Sequence, residues 1–494
     1  MSDALDLLII GAGLSGIGAA CRYVTEFPDG NFAILEQRQA MGGTWDLFRY
    51  PGIRSDSDML TLGYDFRPWP GVKTLADGPS IKRYIMDTAR EYGVDGHIQY
   101  GSKVVGMDFD TSSDLWTATI SDTQTGETRA VGARFVLFCG GYYNYARGHD
   151  PAFEGRDDFT GTVVHPQFWP EDLDYAGKRI AVIGSGATAV TLVPELAKTA
   201  AHVVQVQRTP SYVASIPSED PVGRLTSKIL PRSLHYRFNR WKNIRLSRYF
   251  YRRAIARPDK ARANIRKMQL KQLGKDYPVD THFNPPYDPW TQRLCMVPDN
   301  DMFEAIAEGR ASMVTGHVER FEADGIRMQD GTLVEADIIV TATGLEVQFG
   351  GDAPLSVDGR EIRMADTFGF KGLMFSGVPN LVSVFGYTNA SWTLRADLMS
   401  RYAIRLMRFM HDQELTRVVP VAPDGMEARR WIDGFEAGYL MRVMDQLPKQ
   451  GDRSPWLNIQ DYDHDTRELL NEPLECEGLV FSRAGTRPLA EAAE

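Results

Sequence analysis

Two stretches of this chain put small residues where a strand would hand over to a helix. The first is Gly11-Ala12-Gly13-Leu14-Ser15-Gly16, directly after the apolar run Asp6-Leu7-Leu8-Ile9-Ile10. The second is Gly184-Ser185-Gly186-Ala187-Thr188-Ala189, directly after the run from Lys178 to Ile183. Glycines at this spacing permit a tight turn, let a pyrophosphate approach the backbone, and let helix pack closely on strand, while the helix N-terminus offers unpaired N–H groups to the anion. Ala189 in the third place is allowed, because a methyl group still permits fairly close packing. The next strand ends differently in the two cases. The strand Asn31 to Leu35 ends in Glu36, a carboxylate that can accept from ribose hydroxyls. The strand His202 to Val206 ends in Gln207-Arg208-Thr209, where a cation and a hydroxyl can bind the extra phosphate of NADP that a carboxylate would repel. The second site therefore reads as one for NADPH, and two dinucleotide modules in one chain imply that one nucleotide reduces the other.

The elements that must position these loops follow from their order. A strand, glycine turn, helix, strand and acid in sequence make a Rossmann-like unit, and the chain carries two, so the fold class is α/β with two Rossmann-like dinucleotide-binding domains. A length of 494 residues with 43% hydrophobic content is above the size at which one core splits. The expected boundaries are 1–145 with 346–494 for one domain and 151–345 for the other, with a helical insertion over about 220–290. A net charge of -10 argues against nucleic acid as a main partner. Cys21, Cys139, Cys295 and Cys476 stand far apart with no metal-ligand or disulfide spacing, which fits a reducing, cytoplasmic compartment. The apolar start from Leu7 to Val24 is interrupted by glycines and preceded by Asp3 and Asp6, so it reads as strand into helix rather than a signal peptide.

Between the two modules lies Phe159-Thr-Gly161-Thr-Val-Val-His165-Pro-Gln-Phe-Trp169-Pro170, with the look of a connector rather than an element. Its pattern F-x-G-x-x-x-H-x-x-x-W-P resembles the fingerprint of the Baeyer-Villiger monooxygenases, flavoenzymes that insert an oxygen atom beside a ketone carbonyl. Two further runs, Gly42-Gly43-Thr44-Trp45-Asp46 and Tyr50-Pro-Gly-Ile-Arg54-Ser-Asp56, look like the flavin-contacting segments of that family. The resemblance implies FAD in the first site, held by Gly11, Gly13, Ser15, Gly16, Glu36, Gly43, Thr44, Trp45, Asp46 and Asp56, with Val104 against the adenine. It implies NADP on Arg54, the second glycine loop and Gln207, Arg208 and Thr209. It also gives the catalytic role to Arg293 in the proline-braced loop Phe283 to Cys295, with Asp56 holding it in place. A guanidinium is always charged and suits the anions of oxygen transfer to a carbonyl. Many relatives place a lysine before that arginine, whereas this chain has Gln292, which leaves more of the phosphate grip to Arg208 and Thr209.

The substrates so implied are O2 and a small ketone or thioether, the product an ester, with heteroatom oxidation as the alternative reaction. The Trp-Pro ending of the fingerprint favours the ketone. The strand Asp337 to Thr341 leads into Ala342-Thr-Gly344, which in flavoproteins with two dinucleotide modules marks the return to the FAD domain, and Gly386 to Trp392 runs close to the flavin by resemblance. Residues 224–276 hold 17 Lys and Arg against only Asp259 and Asp276, and Leu234, Phe238 and Trp241 recur at helical spacing among the arginines. Three readings stand for this segment: a helical insertion with a solvated basic face, an amphipathic surface touching anionic lipid, and a self-association interface.

Overall fold

The computed structural model describes residues 4–71, 73–292 and 294–484. Its first sheet grows outward from the buried strand Leu5–Ile10. That strand pairs in parallel with Phe32–Leu35 on one side and with Thr128–Phe138 on the other, Leu7 facing Phe32 and Phe135. These strands read as unbroken apolar runs because helices or other strands cover both faces. The long strand Thr128–Phe138 serves two layers. Its first half pairs antiparallel with Leu115–Asp122, and its second half takes Leu381–Ser383 in parallel. The chain thus returns to the first sheet soon after the Ala342-Thr-Gly344 turn, since Leu355–Val357 already pairs in parallel with Ser102–Asp110.

The second sheet is wholly parallel, in the order Ala311–Thr315, His202–Gln207, Arg179–Ile183, Ile338–Thr341, Thr162–Val164. Its last strand corrects one expectation. The fingerprint stretch is more than a connector, because Thr162–Val164 is the edge strand of this sheet, with Thr162 opposite Ile338. A three-residue strand has too little alternation to be recognised locally, and its partner lies far along the chain. A two-stranded antiparallel ribbon, Tyr143–Gly148 with Leu345–Val347, joins the two sheets.

The insertion forms the helices Pro221–Thr226, Arg232–Ala256 and Pro258–Leu273. The long helix lies on the first lobe: the Tyr236 hydroxyl donates to the Tyr64 carbonyl at 2.7 Å, and Arg240 Nη1 donates to the carbonyls of Leu60 and Gly63, each at 2.7 Å. The next helix turns to the second lobe, where Gln269 Nε2 donates to the Val213 carbonyl at 2.9 Å. The buried side of the long helix is Tyr236, Asn239, Arg240 and Ile244, so the apolar stripe read from sequence at Leu234, Phe238 and Trp241 is the outward one. Among the described residues, no helix is long and apolar enough to cross a membrane.

Candidate active site

Both glycine loops open onto one cavity of about 540 Å³. Gly11, Gly13 and Ser15 line it from the first sheet, and Ser185, Gly186, Ala187 and Thr188 from the second. It lies beyond the C-terminal ends of the parallel strands, where open α/β sheets bind ligands. The helices that start here, Leu14–Glu26 and Ala187–Leu196, have Gly13 and Gly186 at their N-caps and no side-chain cap. Their first N–H groups are left to an anion. A Cβ on Gly16 would stand 1.8 Å from the Gly11 carbonyl oxygen, so that helix packs as closely as the backbone allows. Gly186, by contrast, has nothing within 4 Å of where a Cβ would be. Close packing behind and open space in front are what a pyrophosphate cradle requires.

Glu36 sits at the tip of its strand, buried, and closes the first loop. Its Oε2 accepts from the Ala12 N–H at 2.9 Å and its Oε1 from the Arg38 N–H at 2.9 Å. Burial pushes its carboxyl above the ordinary range, and those two N–H groups offset only part of the effect. Each oxygen keeps a second lone pair, and Glu36 also lines the cavity, so it can still receive a ribose hydroxyl. Gly43, Thr44, Trp45, Asp56 and Val104 line the same wall. Asp46 does not. Its carboxylate turns away to Lys82 at 2.6 Å and Arg38 at 2.6 Å, and although burial acts to raise its pKa, these cations hold it below the usual value. It braces the Thr44–Leu47 turn rather than forming the wall.

Arg54 brings a cation to the cavity with part of its fork unspent. Nη1 meets Asp301 at 3.2 Å, while the buried Nη2 has no hydrogen-bond partner among the described residues. Arg54 lines the cavity, and a guanidinium there with an unsatisfied nitrogen suits a nucleotide phosphate or carboxamide. Of the residues after the second module's strand, Gln207 is consumed internally: its Nε2 donates to the His282 carbonyl at 2.8 Å and to Thr315 Oγ1 at 3.0 Å. It does not reach the cavity, a correction whose cause is the burial of the strand's last residue. Arg208 is exposed and Thr209 half-buried, and neither lines the cavity. Arg293 lies outside the described residues. The loop that carries it borders the cavity through Tyr287, Gln292, Cys295 and Met296.

The fingerprint residues gather elsewhere. His165 caps the turn Pro166–Phe168, its Nδ1 accepting from the Gln167 N–H at 3.2 Å, and its ring lies so close on Gly148 that a Cβ there would be 2.0 Å from Cε1. Gly148 belongs to the ribbon joining the sheets. Burial lowers the His165 pKa, which favours the neutral ring. Phe159 packs beneath Gly161, and Trp169 meets Tyr175 edge-on at 6.2 Å. Pro170 is exposed. Of these five residues only His165 touches the ribbon between the sheets, Phe159 and Trp169 pack within the second lobe, and none of the five lines the cavity.

Sequence reasoning placed the run Gly386 to Trp392 near the flavin but missed the tyrosines that complete an aromatic wall with it. Tyr142 stacks on Trp392 at 5.2 Å, and Trp392 Nε1 donates to Ser15 Oγ at 2.9 Å, tying the wall to the first glycine loop. Tyr143, Tyr145 and Tyr387 also face the cavity. The usable signal was Gly140-Gly141-Tyr142-Tyr143-Asn144-Tyr145, a tyrosine-rich run at the C-terminal end of a buried parallel strand.

Comparison with known proteins agrees with this geometry. A family model described as flavin-binding monooxygenase-like matches residues 74–406. The chain is 46% identical over 485 residues to the FAD-containing monooxygenase EthA of Mycolicibacterium smegmatis, covering 98% of both. It is 46% identical over 489 residues to the putative FAD-containing monooxygenase MymA of Mycobacterium tuberculosis, covering 98% of this chain and 99% of that one. Among solved structures, an oxidized steroid monooxygenase bound to NADP superposes with a TM-score of 0.77 over 97% of this chain and 100% of that one, at 21% identity.

Proposed function

This chain belongs to the flavin-binding monooxygenase-like family, and from that premise we propose that it uses FAD and NADPH to insert one atom of O2 beside a ketone carbonyl, giving an ester, and oxidises thioethers as a side reaction. The observation that carries the reading is that two uncapped, glycine-started helices open onto one cavity, which brings a hydride donor and an acceptor within one enclosure. The relatives named as FAD-containing and the neighbour bound to NADP support the same pair of nucleotides. We assign residues 1–145 and 346–494 to FAD and 151–345 to NADP.

When bound, NADPH supplies the hydride and FAD the site at which oxygen is activated. The protein's part is to hold and to shield. The N–H groups beyond Gly13 and Gly186 would hold the two pyrophosphates, Glu36 and Val104 would hold the adenosine part of FAD, and Arg54 and Arg208 would hold NADPH groups. Tyr142, Trp392 and Tyr387 exclude water from the reacting end. Arg293 supplies the fixed positive charge for the oxyanion that forms when a carbonyl is attacked, and Asp56 orients it. The test supplies NADPH, O2 and a panel of ketones and sulfides and weighs the products. An ester one oxygen heavier than its ketone is expected, whereas sulfoxide without ester moves the assignment to heteroatom oxidation. Arg293→Ala should abolish ester formation while FAD stays bound and reducible by NADPH. Oxygenation retained by that variant would show that another group does this work.

A further inference from the structure

More than half of the exposed large apolar side chains among the described residues fall in 222–255. On the long helix, Leu234 is 51% exposed and Trp241 57%, and with Phe238 they share the outward face by their spacing of four and three. The short helix Pro221–Thr226 is tied to the same end, since Asn239 Nδ2 donates to Thr226 Oγ1 at 2.7 Å. It and the turn after it add Leu225 and Ile229, the latter 70% exposed. An apolar face of this size has no place in the interior, whose side of the helix is already filled by Tyr236, Asn239, Arg240 and Ile244.

The charge around it is one-sided. Further along the helix, Arg248 and Arg252 are spent on Asp461, and Lys242 is spent on Asp220. Arg224, Lys228, Arg232 and Arg237 are exposed and face no carboxylate within ion-pair distance among the described residues. The segment 224–276 carries a formal +15 within a chain of net -10.

We propose that this face docks on an anionic lipid bilayer, with Ile229, Leu234, Phe238 and Trp241 entering the headgroup region and the four unpaired cations meeting lipid phosphates. Lipid suits it better than a second copy, because a two-fold contact would set the same cations against each other. Leu234, Phe238 and Trp241 with Arg237 among them on one helix face, and further cations at and before the helix start, make the pattern of an interfacial helix.

The measurement is co-sedimentation of the full-length FAD-loaded protein with vesicles of phosphatidylcholine alone or mixed with phosphatidylglycerol. Binding is expected only to the mixed vesicles and should weaken in high salt. Each cation near an anionic surface contributes about fivefold, so Lys228→Glu with Arg237→Glu should cut partitioning by at least about 25-fold. Phe238→Ser with Trp241→Ser should cut it by about tenfold or more. Unchanged thermal unfolding and NADPH oxidation rates show that the variants are folded. Absence of sedimentation with the mixed vesicles overturns the proposal, as does binding that neither variant weakens. A concentration-dependent dimer broken by the same substitutions, without vesicle binding, assigns the face to a second copy instead.

Discussion

The two glycine loops solve one geometric problem with opposite chemistry. The first is closed by an anion: Glu36, at the end of its strand, accepts from the Ala12 N–H. The second is closed by a neutral donor: Gln205, buried in the middle of its strand, gives Nε2 to the Gly184 carbonyl at 3.0 Å. In the first loop a buried carboxylate stands where a ribose would come, and its two hydroxyls can use it. In the second the strand runs into Gln207-Arg208-Thr209 with no acid among them, and the exposed Arg208 would attract a doubly charged phosphate where the first loop would repel it. Packing differs in the same direction. The first helix tolerates only hydrogen at position 16, while the second already accepts the methyl of fully buried Ala189.

The contrast breaks most severely at the glycines. Gly16→Ala drives a Cβ into the Gly11 carbonyl 1.8 Å away, and the backbone of both must move. A loss of about 3 kcal/mol in stability is expected, with little flavin retained on purification as read from visible absorbance. Gly186→Ala meets open space and should leave stability within about 0.5 kcal/mol, yet raise the KM for NADPH because the methyl occupies the phosphate's approach. Equal damage from both substitutions would remove the distinction between a packing glycine and a ligand glycine.

Exchanging the closing groups is the next test. Gln205→Glu puts an acceptor against the Gly184 carbonyl, and Glu36→Gln puts a donor against one of the N–H groups of Ala12 and Arg38. Each leaves buried polar atoms mismatched, at about 2 kcal/mol, measured as a shift in urea midpoint. Only Gln205→Glu should also weaken NADPH, because it alone adds negative charge beside the second nucleotide.

Much of this was legible in the chain because it is local. A strand, its turn and its helix lie within about twenty residues, and the glycines that make the turn possible cannot be replaced without showing it. What sequence hid was long-range. Thr162–Val164 becomes a strand only through residues 338–340, and the aromatic wall joins Tyr142 to a tryptophan that arrives from residue 392. Asp46 and Gln207 were read as ligands from their places in the chain, beside Trp45 and Arg208. One residue's rotation along the backbone turns Asp46 to Lys82 and Gln207 to His282. The helical insertion was recognisable by its period, but which side of it faced inward depended on Tyr64 and Leu60, which no spacing in 232–256 reveals.

A smaller effect is expected at the exposed cation after the second module's strand. Arg208→Ala should raise the KM for NADPH about tenfold, near 1.4 kcal/mol, and leave NADH turnover unchanged. Equal loss with both nucleotides would place Arg208 on a group they share, and the electrostatic contrast between the loops would then rest on the absent carboxylate alone.

The mildest test reads the buried anion by pH. The Glu36 carboxyl is raised in the folded protein by burial, so the folded state holds its proton more tightly than the unfolded chain does. The stability that this protonated form contributes is fully present below the unfolded value of about 4.3 and is lost as pH rises through the folded value. Gln205 has no such step, and neither does Glu36→Gln. The unfolding free energy of the wild type should therefore fall relative to Glu36→Gln as pH rises from about 4.3, by about 1.4 kcal/mol for each unit that separates the two states, and then level off. A difference that stays flat across that interval would mean that the first loop holds its carboxylate at no electrostatic cost, and the two loops would differ in hydrogen-bond polarity but not in charge.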